Sequence, residues 1–108
     1  MFENSDYIYI VMEYLKGGDF FTYLESRSFK IPEERAKTIA HQLATSIFYL
    51  HSFGIAHRDL KPENILMVTN EYDSEVKIVD FGLSKTFGPG EECCEPFGTL
   101  CYVAPEIL

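Results

Sequence analysis

An α+β fold follows from three features of the sequence. Tyr7-Ile8-Tyr9-Ile10-Val11-Met12 is a near-continuous apolar, β-branched and aromatic run that reads as a buried strand. Pro32-Glu33-Glu34 opens a long amphipathic helix, which the apolar spacing carries to about Ser52. Ile65-Leu66-Met67-Val68 and Val76-Lys77-Ile78-Val79 read as two short strands joined by a polar turn around Asn70 to Ser74. With 108 residues, 46% of them hydrophobic, the chain is one domain or less, with an ordinary apolar content.

Composition removes several classes of partner. A net charge of −8 argues against nucleic acid or an anionic membrane surface and suits a basic peptide or a divalent cation. No apolar run is long enough to span a bilayer. The three cysteines, Cys93, Cys94 and Cys101, make no disulfide framework. Their odd number and the lack of a signal-peptide pattern point to a reducing compartment, cytoplasmic or nuclear. No Cys-x-x-Cys spacing is present and the three histidines lie elsewhere, so no zinc site is expected.

The elements then follow in order. Gly17-Gly18 breaks the first run with a flexible turn. Asp19 is placed to cap a short helix through about Arg27, with Phe20, Phe21 and Leu24 at helical spacing. In the long helix, Ala36, Ile39, Ala40, Leu43, Ile47 and Leu50 recur at three- and four-residue steps and form one apolar face. His51 near its end suits the helix dipole, Gly54 is placed as a C-cap, and His41 reads as a surface or packing residue. From Leu83 to Thr99 the pattern dissolves into a loop long enough to be functional or mobile.

The chemistry concentrates in His57-Arg58-Asp59-Leu60-Lys61-Pro62-Glu63-Asn64. Asp59, Lys61 and Asn64 are the types needed to orient a hydroxyl, neutralise a phosphate and hold a magnesium ion. An accidental match by a charged surface loop needs five specified residues at fixed offsets, on the order of a few in a hundred thousand for a chain of this size. Met12-Glu13-Tyr14 and Gly17-Gly18 precede the stretch. Asp80-Phe81-Gly82, Gly98-Thr99 and Ala104-Pro105-Glu106 follow it. In this order the motifs resemble the eukaryotic protein kinase domain. Lys61 two residues after Asp59, and Gly98-Thr99 ahead of Tyr102, match its serine/threonine type. Phe20-Phe21 and Asp-Phe-Gly-Leu-Ser look closest to the calcium/calmodulin-regulated subgroup, although no calmodulin-binding helix or EF-hand loop is present.

The resemblance implies a partial kinase fold, mostly the helical large lobe with short β-hairpins. Residues 1–12 would be the last small-lobe strand, 13–18 the hinge, and 19–108 the large lobe through the activation segment. ATP and Mg2+ are the implied cofactors, and a protein or peptide Ser/Thr hydroxyl the acceptor; the oligomeric state stays open. Asp59 would orient the hydroxyl and accept its proton, Lys61 would contact the transferring phosphate, and Asn64 and Asp80 would hold metal. Met12 would be gatekeeper, the Glu13 and Leu15 backbone would meet adenine, and Asp19 would reach the ribose. Leu66 would floor the adenine, supported by Ile65, Met67 and Phe20, and His57 and Phe81 would stack. Glu63 is counted with the nucleotide-side positions. With Asp19 it also matches places where family members hold a basic substrate residue. Pro96, Leu100 and Val103 would line a pocket for the residue after the acceptor. Glu95 stands where many members carry a phosphorylated side chain, and its carboxylate is expected to pair with Arg58.

The sequence contains no glycine-rich phosphate loop, strand lysine or pairing helix glutamate of this family. All three arginines lie upstream of Glu106, which the family pairs with an arginine. An internal fragment with negligible turnover of its own is therefore expected. Three readings stay open: part of an active kinase, a non-catalytic binding module or decoy, and a degraded gene.

Overall fold

The computed structural model describes residues 1–108. Strands β1 (Phe2–Glu3) and β2 (Ile8–Tyr9) form an antiparallel hairpin with Phe2 opposite Tyr9. Asn4 sets its turn by accepting hydrogen bonds from the Asp6 and Tyr7 amides at 3.0 and 2.8 Å. The expected buried strand over 7–12 is corrected here. Only Ile8–Tyr9 pair, and every side chain from Tyr7 to Met12 is exposed. The run has strand chemistry, but no other apolar face in these 108 residues covers it.

Helix α1 (Phe20–Glu25) is shorter than the expected run to Arg27. Asp19 caps it, taking the Thr22 amide at 2.8 Å and the Thr22 hydroxyl at 2.9 Å. Helix α2 (Glu33–Ser52) has the expected bounds, with Pro32 at its entry and Glu33 and Glu34 in its first turn. Ile39 is buried, and Ala36, Leu43, Ile47 and Leu50 are half-buried, whereas Ala40 is exposed. Gly54 ends the helix at φ +66°, and a Cβ there would meet the Phe87 carbonyl oxygen at 2.4 Å.

Strands β4 (Ile65–Met67) and β5 (Val76–Ile78) form the expected antiparallel pair, with Leu66 opposite Lys77. Ile65 and Met67 point inward and join Tyr23, Ile39 and Val76 in the core, while Leu66 faces the other way. The hinge segment lies along β4: the Gly17 amide donates to Met67 O at 3.1 Å, and the Met67 amide to Gly18 O at 2.8 Å. Gly17 is required there, since a Cβ would meet Thr69 O at 2.2 Å.

One pairing departs from the expected 83–99 loop. Strand β6 (Lys85–Thr86) pairs antiparallel with β3 (Ile55–Ala56), placing Ile55 opposite Thr86. The Phe87 amide extends this ladder by donating to Gly54 O at 2.6 Å.

Candidate active site

The stretch from His57 to Asn64 leaves β3 and reaches β4 through a 3-10 turn, Pro62–Asn64, with proline at its first position. His57 is buried, its Nε2 lies 2.8 Å from Val79 O, and its ring meets Phe81 edge-on at 5.0 Å. The Val79 amide donates to Asn64 O at 2.9 Å. These contacts bring the end of β5, and with it Asp80, beside the loop that carries Asp59.

The Asp59 carboxylate is the centre of the arrangement, and its side chain is only 11% exposed. Oδ1 accepts a 2.6 Å hydrogen bond from the Thr99 hydroxyl. Oδ2 lies 3.2 Å from Lys61 Nζ and accepts from Asn64 Nδ2 at 3.0 Å. Lys61 Nζ also donates to Thr99 Oγ1 at 2.8 Å, and Asn64 Nδ2 to Asp59 O at 2.8 Å. The Thr99 hydroxyl, then Lys61 and Asn64, hold the Asp59 carboxyl below the usual carboxylate range against the opposing effect of desolvation. Thr99 is the site member that sequence reasoning left out of the reacting set. Its only signal is the Gly98-Thr99 motif, forty positions along the chain from Asp59.

The metal and nucleotide positions have a consistent chemistry. Buried Asn64 uses its Nδ2 on Asp59, and no protein donor reaches its Oδ1. Asp80 is exposed at φ +61°, and only the Gly82 amide meets its Oδ1, at 3.2 Å. An amide oxygen and a carboxylate oxygen without protein partners are the hard donors that suit Mg2+. At the hinge, the Glu13 carbonyl and the Leu15 amide and carbonyl make no protein hydrogen bond. The Glu13 side chain pairs with Lys77 Nζ at 2.7 Å. Met12 is 73% exposed. Asp19 has both carboxylate oxygens engaged by Thr22, and the Thr22 amide chiefly lowers its pKa. Glu63 is exposed and unpaired.

Next to Asp59 is an open cavity of about 310 Å³ lined by Leu60, Phe97, Tyr102, Val103 and Ile107 among others. Of the three residues expected to line a pocket there, Val103 does and Pro96 and Leu100 do not; Leu100 is 82% exposed. Leu100 sits in a turn held by the Tyr102 and Val103 amides on Thr99 O, so Phe97 and Tyr102 supply the apolar wall. Arg58 meets the Glu95 carboxylate at 3.2 Å, as expected from the sequence. Glu106 has no cation within ion-pair distance.

Residues 1–108 match the protein kinase domain model. The chain is 42% identical over 106 residues, 98% of its length, to CDPK-related kinase 3 of Arabidopsis thaliana. It is 47% identical over all 108 residues to a probable myosin light chain kinase of Dictyostelium discoideum. It is 40% identical over 107 residues, 99% of its length, to calcium/calmodulin-dependent serine/threonine-protein kinase 1 of Oryza sativa subsp. japonica. The chain spans 18%, 31% and 18% of the lengths of these three relatives. Similarity at this level, carried from the first residue to the last and through the loop that holds Asp59, places the chain in the protein kinase domain family, among serine/threonine kinases.

Proposed function

We propose that these residues supply the acceptor side and metal side of an ATP-dependent transfer to protein Ser or Thr hydroxyls. The observation that carries the reading is the 2.6 Å contact by which Asp59 Oδ1 already holds a threonine hydroxyl. A carboxylate placed this way orients an acceptor hydroxyl and takes its proton as the oxygen–phosphorus bond forms and ADP departs with the electrons of the broken bond. Lys61 lies between Asp59 and Thr99, where its ammonium offsets charge gathering on the transferred group. Asn64 fixes the Asp59 carboxylate with one end of its amide and offers the other to metal, together with Asp80. Bound Mg2+ would neutralise the nucleotide phosphates. The free Glu13 and Leu15 backbone groups are suited to the adenine edge, with Leu66 beneath and Met12 beside it. A basic residue on the substrate would meet Glu63, which is exposed and unpaired, and Asp19, whose carboxylate keeps lone pairs beyond those its cap uses.

For the 108 residues alone we propose negligible turnover. They contain no glycine-rich phosphate loop, and the nucleotide side of the hinge is open to solvent at Met12 and Tyr14. Asp59→Asn in the full-length protein carrying this segment should lower kcat on a Ser/Thr peptide about 10²- to 10⁴-fold with the fold retained by circular dichroism. Unchanged turnover in that variant, or turnover by the isolated 108 residues, would refute the corresponding proposal.

A further inference from the structure

Between Val11 and Lys16 little holds the chain. Val11, Met12 and Tyr14 are 77%, 73% and 85% exposed, and no protein hydrogen bond reaches the Glu13 carbonyl or the Leu15 amide. Downstream the segment is tied to β4, where the Lys16 amide donates to Val68 O at 3.3 Å and the Gly17 amide to Met67 O at 3.1 Å. Upstream the tie is made by side chains. Lys77 Nζ stands 2.7 Å from Glu13 Oε1, across 64 positions of sequence. No other side-chain hydrogen bond or ion pair reaches residues 11–16, and Lys77 meets no second carboxylate. Strand register places Lys77 for this contact. It lies opposite Leu66, so both side chains leave the β4–β5 pair on the face turned away from the core.

We infer that Lys77 is a positioning residue, whose ion pair with Glu13 pins the upstream end of this segment to β5 and so presents the Glu13 carbonyl and Leu15 amide together to one purine edge. An acceptor and a donor two residues apart complement a base with an amino group beside an unprotonated ring nitrogen. They reject a base with a carbonyl in place of that amino group. The discrimination is only as sharp as the spacing of the two backbone groups is fixed, and a segment tied at one end alone leaves the Glu13 carbonyl free to swing. The choice of base rests on the function proposed above, whereas the tie itself rests on the ion-pair geometry alone. Both side chains are partly exposed, Lys77 44% and Glu13 62%, so the effect is a few-fold rather than all-or-none.

The test uses the full-length protein with Lys77→Met and with the charge-exchanged pair Glu13→Lys and Lys77→Glu in one chain. Without nucleotide, hydrogen–deuterium exchange at the Lys16 and Gly17 amides should be about threefold faster in Lys77→Met. The Val79 amide, just after β5, should keep its wild-type rate. By titration calorimetry with Mg2+ present, wild type should bind ADP about tenfold more tightly than inosine diphosphate, which has a carbonyl in place of the amino group. Lys77→Met should narrow that ratio about threefold, and the exchanged pair should restore it. Unchanged exchange at Lys16 and Gly17, or equally faster exchange at Val79, overturns the tie. A ratio that keeps its wild-type value in Lys77→Met, or that the exchanged pair leaves narrowed, overturns the positioning role. If wild type binds neither nucleotide, the function proposed above fails, and the exchange arm still decides the tie.

Discussion

Thr99 fills both hydrogen-bonding roles at Asp59 that an acceptor hydroxyl would need, giving its proton to Oδ1 and receiving one from Lys61. Asp59, Lys61 and Asn64 were legible because they share one short stretch with fixed offsets. Thr99 was not, because its place depends on a turn that only the folded chain closes. Cys93 was read only as one of three cysteines that make no disulfide framework. It is exposed, and hydrogen bonding with the Glu95 backbone, followed by the Arg58 guanidinium and the charge of Lys85, lowers its pKa. A lowered pKa means that the thiolate persists to lower pH, so its alkylation should reach half its maximal rate at a lower pH than an ordinary thiol, about 8.5. Site-resolved iodoacetamide labelling across pH 5–9 reads this directly. The shift should vanish in denaturant, and a native profile matching the denatured one would contradict it.

Among the elements, α2 was the most legible, because twenty residues give the 3.6-residue period room to repeat. Strands β3 and β6 have two residues each, too few for any alternation, and they pair across thirty positions of sequence. The Tyr7–Met12 run was misread for a different reason: apolar character states a preference for burial, and burial also needs a partner face. Arg35 was missed on α2 because charged residues are seldom buried without a partner. Here it is buried and has one, since its Nη2 donates to Ser74 O at 2.5 Å and its guanidinium lies near the Tyr23 and Tyr72 rings. Gln42 adds a 3.0 Å bond from the Val76 amide, so α2 holds both the turn before β5 and the first residue of the strand. Arg35→Leu strips the Ser74 carbonyl of this donor and should destabilise the fold by about 1–3 kcal/mol. The urea midpoint of the full-length protein measures this, and a midpoint equal to wild type would show that the contact adds nothing.

At the scale of the whole molecule, the accessible surface is 8220 Å², against about 6,100 Å² for a compact protein of this mass. The radius of gyration is 15.9 Å, where about 13 Å is usual for this length. Only five apolar side chains are buried, while Ile8, Ile10, Val11, Met12, Phe48, Tyr49 and Phe53 are exposed. The isolated 108 residues should therefore bind the dye ANS strongly and self-associate as concentration rises. Fluorescence titration and sedimentation velocity test this, and a dye-silent monomer at high concentration would contradict it. One pairing has a larger consequence. Ladder β3–β6 joins Ile55–Ala56 to Lys85–Thr86, and Asp59, Lys61, Asn64 and Asp80 all lie in the chain between them. Those four side chains thus lie on one loop of polypeptide, closed at its base by this ladder and pinned within by the β4–β5 pair and the contacts of His57 and Asn64 with Val79. Because these closures share the same short stretch of chain, this half of the site should be gained and lost as one cooperative unit.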